Sequence, residues 1–344
     1  MSPLVSVIIV NHNGIEFVDR CLHSVLSSNY PNFEVIFVDN ASTDGSLEYV
    51  KRIFGNDPKS RYVENLGSFG PAVGRNRGAN ISKGAYLVFL DNDTEIMENS
   101  ISELVRALED DNSIGSGQAK LLRMGTKEYD CAGDYLGPLG FLIERSRGAK
   151  DTGQFDFITD ILSAKSAASI IRKDLFDRIG GFDEDFYMYL EETDLSWRLW
   201  LAGYRVVFVP KSIVYHAYGT KKKAKRQYYP EYVVRYYGSR NYISTLIKNL
   251  GFLNLIKILP LHIFSWLGLS TMFVCRKKFK DAFWIIKAII WNLANAGTLI
   301  KKRRFIQRNI RKVGDSQIMA KIMISNPFGY YLGKAVSYLY GKPF

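Results

Sequence analysis

Four short apolar runs constrain the fold most: "LVSVIIV" (4–10), "FEVIFVD" (33–39), the weaker "SRYVEN" (60–65) and "AYLVFLD" (85–91). Such runs are too short for helices, and their β-branched content suits strands buried on both faces. Between them lie helix patterns. Phe17, Val18, Leu22, Val25 and Leu26 share one face, "NASTDGS" can cap a helix over Leu47 to Ile53, and "GPAVGRNRGANIS" is a glycine-punctuated helix. Strand alternating with helix four times predicts an α/β doubly wound, mostly parallel sheet with ligands at the carboxyl ends of its strands. The polar clusters at 11–13, 39–44, 65–70 and 91–95 all follow strands, as that arrangement requires.

Beyond residue 96 the pattern is mixed. It predicts a helix near 98–110, strands near 114–122, 129–136 and 158–171, a helix over about 190–202, and strands near 205–209 and 213–216. At Ala217 the character changes. Residues 1–216 carry 22 Lys+Arg against 31 Asp+Glu, whereas residues 217–344 carry 24 against 3, so an acidic front adjoins a strongly basic back. Two jobs follow, the second facing anions. Cys21, Cys131 and Cys275 are widely spaced and form neither a metal pair nor a disulfide framework, which indicates a reducing compartment. The N-terminal apolar run lacks a basic leader and a small-residue cleavage site, so no secretory signal is expected.

Several clusters can carry chemistry, each with a plainer reading beside it. Asp91 and Asp93 end the fourth strand. Two carboxylates converging there suit a hard divalent cation shared with a diphosphate, or they form an acidic turn with Thr94 and Glu95 opening the next helix. Glu191, Glu192 and Asp194 in "EETDLSWRLWLAGY" stand at a helix start, where carboxylates favour the macrodipole. Crowding also raises the proton affinity of one of them, which suits a general base. His216 closes "SIVYH" as a structural or a metal-binding histidine. Gly67, Gly70, Gly74 and Gly78, with Arg75 and Arg77, can line a phosphate but contain no P-loop. Asp39 either caps the next helix or holds a ribose or base.

In this order, "VSVIIVNHNG", "VIFVDNASTDGS", "ENLGSFGPAVGRNRGA", "GAYLVFLDNDTEI", "SAASIIRKDLFDRIGGFDEDFYMYLEETDLSWRLWLAGYRVVFVP" and "VYH" resemble the inverting family-2 glycosyltransferases of GT-A fold, in their rhamnosyltransferase-like branch. The resemblance covers about residues 3–216, and "SRNYISTLIKN" and "KRRFIQRNIRKV" extend it into the tail. It implies a GT-A catalytic domain over 1–216, with a nucleotide-sugar half (1–96) and an acceptor half (97–216), followed by a basic, amphipathic helical region over 217–344. It also implies that Asn11, Asn13, Asp39 and Arg75 line the nucleotide pocket, and that Asp91, Asp93 and His216 hold Mg²⁺ or Mn²⁺. Glu192 matches the catalytic base, a position where Asp is commoner, while Glu191 and Asp194 would orient acceptor and base. The donor would be a nucleoside-diphosphate sugar, dTDP-rhamnose or a UDP-sugar. The acceptor would be a lipid-linked (polyprenyl) or cell-surface glycan.

In the tail, residues 258–275 contain no Lys, Arg, Asp or Glu, and residues 282–300 carry Lys287 in their middle. Both read as helices lying in the membrane interface rather than spanning it, with "KKKAKR" (221–226) and "KKRRFIQRNIRK" (301–312) meeting anionic headgroups. That places the chain on the cytoplasmic face of the cell membrane, peripheral or monotopic. Part of the tail can instead pack on the catalytic domain or on a second copy of the chain. Charges interleaved with long apolar helices, and the absence of any recognised motif, argue against nucleic acid. Two rival functions stand beside the transferase: a haloacid-dehalogenase-type phosphatase using Asp91 and Asp93, and a non-catalytic sugar-nucleotide-binding membrane scaffold.

Overall fold

A computed structural model describes residues 2–217 and 231–339, so the basic run 221–226 lies outside the described residues. The chain forms two compact units. One holds the described residues up to Asp134, Glu144–Tyr187 and those from Glu191 to Ala217. The other holds Tyr135–Ile143, Met188–Leu190 and the described residues from Glu231 onward.

The first half of the chain contains β1 (Val5–Asn11), α1 (Val18–Leu26), β2 (Phe33–Asp39), α2 (Ser46–Phe54), β3 (Ser60–Glu64), α3 (Pro71–Ile81), β4 (Tyr86–Asp91), β5 (Thr94–Ile96), α4 (Ser100–Asp110), β6 (Ile114–Arg123), β7 (Tyr129–Cys131), β8 (Asp134–Leu136), β9 (Leu142–Glu144), β10 (Thr159–Asp160) and β11 (Ala168–Arg172). Then follow α5 (Lys173–Arg178), α6 (Glu191–Leu201), β12 (Arg205–His216), α7 (Glu231–Asn249), α8 (Phe252–Cys275), α9 (Phe279–Ala294), α10 (Ala296–Phe305), a π-turn at Ile306–Ile310, α11 (Asp315–Ile322) and α12 (Phe328–Leu339).

The main sheet runs β10-β12-β6-β11-β4-β1-β2-β3, with β5 on β12 and β7 on β6. The β3-β2-β1-β4 half is parallel, as the alternation predicts; β11 is antiparallel to both neighbours, β4 and β6. Val7, Ile9, Val35, Phe37, Val88 and Leu90 bury one face of the sheet in a single core. On the other face α3 lies close, because Gly74 and Gly78 face β1. A Cβ on Gly78 would stand 2.5 Å from Ile8 Cγ2, and one on Gly74 2.8 Å from Val10 Cγ1. These two glycines therefore fit the helix to the sheet, a use the phosphate reading of the glycine run did not include.

Four expected strands differ in the structure. The run 129–136 splits into β7 and β8, and 158–171 splits into β10 and β11 around a loop. Residues 205–209 and 213–216 form one strand whose register on β6 shifts between Val209 and Ile213, flanking Pro210, which has no N–H for the ladder. Thr94 and Glu95 do not open a helix; they form β5.

The helical unit has its own core, with Phe141, Ile243, Trp266, Leu269, Phe273, Ile285 and Leu339 buried together. Part of its basic charge is internal. Arg303 donates to the carbonyls of Ile247 and Leu250, both at 2.6 Å, and Arg311 to that of Asn249 at 2.5 Å. Both cap the carboxyl end of α7, where the macrodipole is negative. Of the expected headgroup run 301–312, Arg303 and Arg311 thus serve folding, while Lys301, Arg304, Arg308 and Lys312 are exposed. Outward-facing apolar side chains accompany them, among them Phe252, Phe264, Phe279, Phe283 and Leu293. By length and composition α8 could cross a membrane, as could the α9–α10 pair bent by 64° if it counts as one span.

Replacing Gly78 with Val should overpack α3 against β1. The expected cost is about 1–3 kcal/mol, read as a lower urea midpoint at unchanged slope.

Candidate active site

The parallel register brings polar residues to one edge of the sheet. Asn11 pairs with Asp39 across β1 and β2, and Val10 with Asp91 across β1 and β4. The chain then turns at Asp91–Thr94, where the Thr94 hydroxyl donates to the Asp91 carbonyl at 2.7 Å. β5 pairs with β12 so that Thr94 opposes His216, and the Ala217 N–H donates to the Asp93 carbonyl at 2.9 Å. This pairing sets Asp93 Oδ1 3.2 Å from His216 Nε2. The other ring nitrogen lies 2.9 Å from Asp130 Oδ2, on β7. Asp91, Asp93 and His216 each offer a ligand atom within 4.8 Å of the others. Two carboxylates and an imidazole oriented by a further carboxylate fit a hard divalent cation such as Mg²⁺ or Mn²⁺. Burial lowers the imidazole's proton affinity, but the hydrogen bonds it donates to the Asp130 and Asp93 carboxylates more than offset it and, without a metal, raise the pKa to about 10.

A second charged group joins Asp91 to the helix of acids. Arg75, only 5% exposed at its side chain, places Nη2 2.8 Å from Asp91 Oδ1 and Nη1 2.8 Å from Glu191 Oε1. The sequence resemblance put Arg75 in the nucleotide pocket; the structure places its guanidinium on these two carboxylates. Among the described residues the other Glu191 oxygen is buried without a hydrogen-bond partner. Glu192, next along α6, keeps 15% of its side chain exposed, and its Oε1 lies 3.9 Å from Lys165 Nζ. Lys165 in turn sits 2.8 Å from Asp134, which is fully buried. Burial and the neighbouring Glu191 raise the Glu192 carboxyl to about 7, against the opposing pull of Lys165 and Arg75.

The charged groups fall into three sets: Asp91–Arg75–Glu191 and Glu192–Lys165–Asp134 each place a cation between two carboxylates, and in Asp93–His216–Asp130 an imidazole stands between two carboxylates and gives up its Nε2 proton when a metal binds there. With His216 neutral as a ligand, six carboxylates face only Arg75 and Lys165, and a bound divalent cation offsets part of that excess of negative charge.

Asp194 is placed differently from its expected role beside the base. It is fully buried and paired with Arg198 at 3.0 Å, because residues two apart on a helix point about 200° apart. Arg198 also donates to the Ile179 carbonyl at 2.6 Å, so the pair fastens α6 to the preceding loop. Asp39 is equally enclosed. Its Oδ2 accepts from the Ser42 N–H at 2.8 Å and its Oδ1 from Asn11 at 2.8 Å, so it builds the loop that ends β2. Asn11 ties that loop to Ser46 at 2.8 Å and accepts from Asn92 at 2.5 Å. Asn13, at φ 54°, accepts from the Thr43 N–H at 2.7 Å. Asp130, Asp134 and Lys165 were not legible as site residues. Each begins or precedes an antiparallel strand or lies on a three-residue one, where a search along strand ends does not look.

With this geometry in view, the family comparison is decisive. The family model described as "Glycosyl transferase family 2" matches residues 6–180. The chain belongs to that family. It is 31% identical over 110 residues to "Glycosyltransferase GlyG" of Streptococcus pneumoniae, a match covering 32% of this chain and 36% of the relative. It is 33% identical over 101 residues to "Putative teichuronic acid biosynthesis glycosyltransferase TuaG" of Bacillus subtilis, covering 29% and 40%. The chain therefore spans well under half the length of these curated relatives. Among solved structures, mannosyltransferase PcManGT from Pyrobaculum calidifontis, in complex with GDP-Man and Mn²⁺, superposes with a TM-score of 0.55 at 18% identity, covering 85% of this chain and 88% of that one. S. aureus TarS 1-349 in complex with UDP gives 0.55 at 17% identity, covering 88% and 90%. These likenesses establish the GT-A-like fold, with its mostly parallel sheet flanked by helices and a helical C-terminal region.

Replacing Arg75 with Gln strands the Glu191 and Asp91 carboxylates. The expected loss is about 3 kcal/mol of stability, measured by urea unfolding.

Proposed function

We propose that the chain is a metal-dependent, inverting glycosyltransferase of the rhamnosyltransferase-like branch. It takes a nucleoside-diphosphate sugar, dTDP-rhamnose or a UDP-sugar, and transfers the sugar to a polyprenyl-linked or cell-surface glycan acceptor. The observation that carries this reading is the meeting, at the carboxyl edge of one sheet, of Asp91, Asp93 and His216 with a carboxylate of raised proton affinity. The complexes of structural neighbours with GDP-Man, UDP and Mn²⁺ support the donor and the ion. Relatives named for teichuronic acid and O-antigen biosynthesis support a surface glycan as the product.

A divalent ion held by Asp91, Asp93 and His216 supplies positive charge against the diphosphate leaving group. The rest is done by the chain. Asp130 holds His216 by Nδ1 and so presents Nε2 toward Asp93. Arg75 keeps Asp91 and Glu191 in fixed places. Glu192 takes the proton of the acceptor hydroxyl as that oxygen attacks the anomeric carbon opposite the nucleotide, and Glu191, held by Arg75, fixes the start of α6 that carries it. No covalent intermediate forms, so the configuration inverts. Asn11, Asn13 and Asp39 shape the loop on which the nucleoside rests, and Asp194 acts from beneath by fastening α6. A phosphatase reading is weaker, since Asp91, its first aspartate, is engaged by Arg75.

The domain from residue 217 onward binds the cytoplasmic face of the membrane in this proposal. Exposed aromatic and aliphatic side chains of α8 and α9 enter the interface beside Lys301, Arg304 and Arg308. Flotation with phosphatidylglycerol vesicles should recover the protein, whereas Phe264→Asp combined with Leu293→Asp should leave most of it unbound. Equal flotation of the two proteins would remove the membrane assignment.

Catalysis is tested by incubating the protein with Mn²⁺ and dTDP-rhamnose, UDP-GlcNAc or GDP-mannose and measuring nucleoside diphosphate release. Turnover should vanish with chelator, return with Mn²⁺, and fall at least a hundredfold in Asp93→Ala and in Glu192→Gln. Glu192 must be deprotonated to accept a proton, so kcat/KM should drop about tenfold per pH unit below about 7. Release of phosphate from simple phosphomonoesters, indifferent to Glu192, would overturn the transferase reading.

A further inference from the structure

β11 runs antiparallel to β4, pairing Ala168 with Leu90, so its beginning rather than its end lies at the ligand edge of the sheet. The Asp91 N–H donates to the Ala167 carbonyl at 3.2 Å, and Lys165 stands two residues earlier. Its own N–H donates to Gln118 Oε1 at 2.9 Å, which fixes the backbone there. The ammonium is shared unequally: 2.8 Å from Asp134 and 3.9 Å from Glu192.

That inequality has a chemical consequence. At 3.9 Å an ammonium makes no hydrogen bond, yet its charge is felt strongly in a site of low dielectric. Glu192 therefore experiences a positive field while Lys165 leaves its carboxylate free to take a substrate proton. A full ion pair would favour the carboxylate too much and block the oxygen. The charged groups facing Glu192 are Glu191 on its own helix, Arg75 from α3 and Lys165 from the loop before β11; Asp134 and Glu144 surround Lys165 in turn. Arg75 is already engaged by two carboxylates, which leaves Lys165, whose pull on Glu192 is the larger, as the adjustable charge.

We propose that Lys165, tethered by Asp134, is a positioning residue that sets the proton affinity of the catalytic base Glu192. Asp134 holds the ammonium back, and Lys165 keeps the base ionised near neutral pH. This rests on the assignment of Glu192 as base.

The test is the pH profile of kcat/KM for nucleoside diphosphate release, at saturating Mn²⁺, with whichever of the three donors above turns over. In Lys165→Met the acid limb should move up by about one pH unit or more, because a cation near the carboxylate is lost. In Asp134→Asn the released ammonium can close on Glu192, and the limb should move down with a lower plateau. Lys165→Arg should keep the limb near its original position. A merely structural role would move neither limb in opposite directions. Should Lys165→Met fail to fold, the limbs of Asp134→Asn and Lys165→Arg decide by the same criteria. An unmoved limb in these variants, with Glu192→Gln inactive, overturns the role of Lys165 alone. Wild-type turnover in Glu192→Gln instead overturns the assignment of the base.

Discussion

Crowded negative charge at one edge of a parallel sheet is the constraint on which the site depends. Six carboxylates can share that region because Arg75 and Lys165 each stand between two of them and His216 bridges the other two, where a metal ion replaces its Nε2 proton. Removing one partner of such a buried set strands the others, which costs several kcal/mol, so the groups hold one another in place. The remaining excess of negative charge is also what makes the edge receptive to a divalent ion. Structure and chemistry have a common origin here.

The geometry divides labour among neighbours in sequence. Glu191 and Glu192 are adjacent, yet one is fixed by Arg75 and the other left partly exposed beside Lys165. Burial and mutual repulsion then fall mainly on the freer carboxyl, whose affinity for a proton rises into the range a base needs. Asp194, on the opposite side of the helix, is consumed by Arg198 and steadies α6 instead. A single run of acids thus yields an orienting group, a base and an anchor.

The tail shows the same economy. Arg303 and Arg311 close the carboxyl end of α7, while neighbours one and three residues away point outward with large apolar side chains beside them. Net charge alone cannot separate these uses, because a basic residue capping a helix and one facing a lipid headgroup look alike in composition.

The alternation of short β-branched runs with helical patterns was enough to establish the α/β class, a mostly parallel sheet and the carboxyl edge at which Asn11, Asp39 and Asp91 gather; the β3-β2-β1-β4 order comes from the fold. Periodicity and strand-end position are local properties, so the chain carries them openly. Asp93 and His216 were legible as candidates, but their meeting depends on β5 pairing with β12 across more than a hundred residues. Lys165 was hidden because antiparallel β11 brings its beginning, not its end, to the ligand edge, and Asp130 and Asp134 because they lie on three-residue strands. Which cation compensates which carboxylate is a matter of distances between remote segments. Only the packed fold decides it.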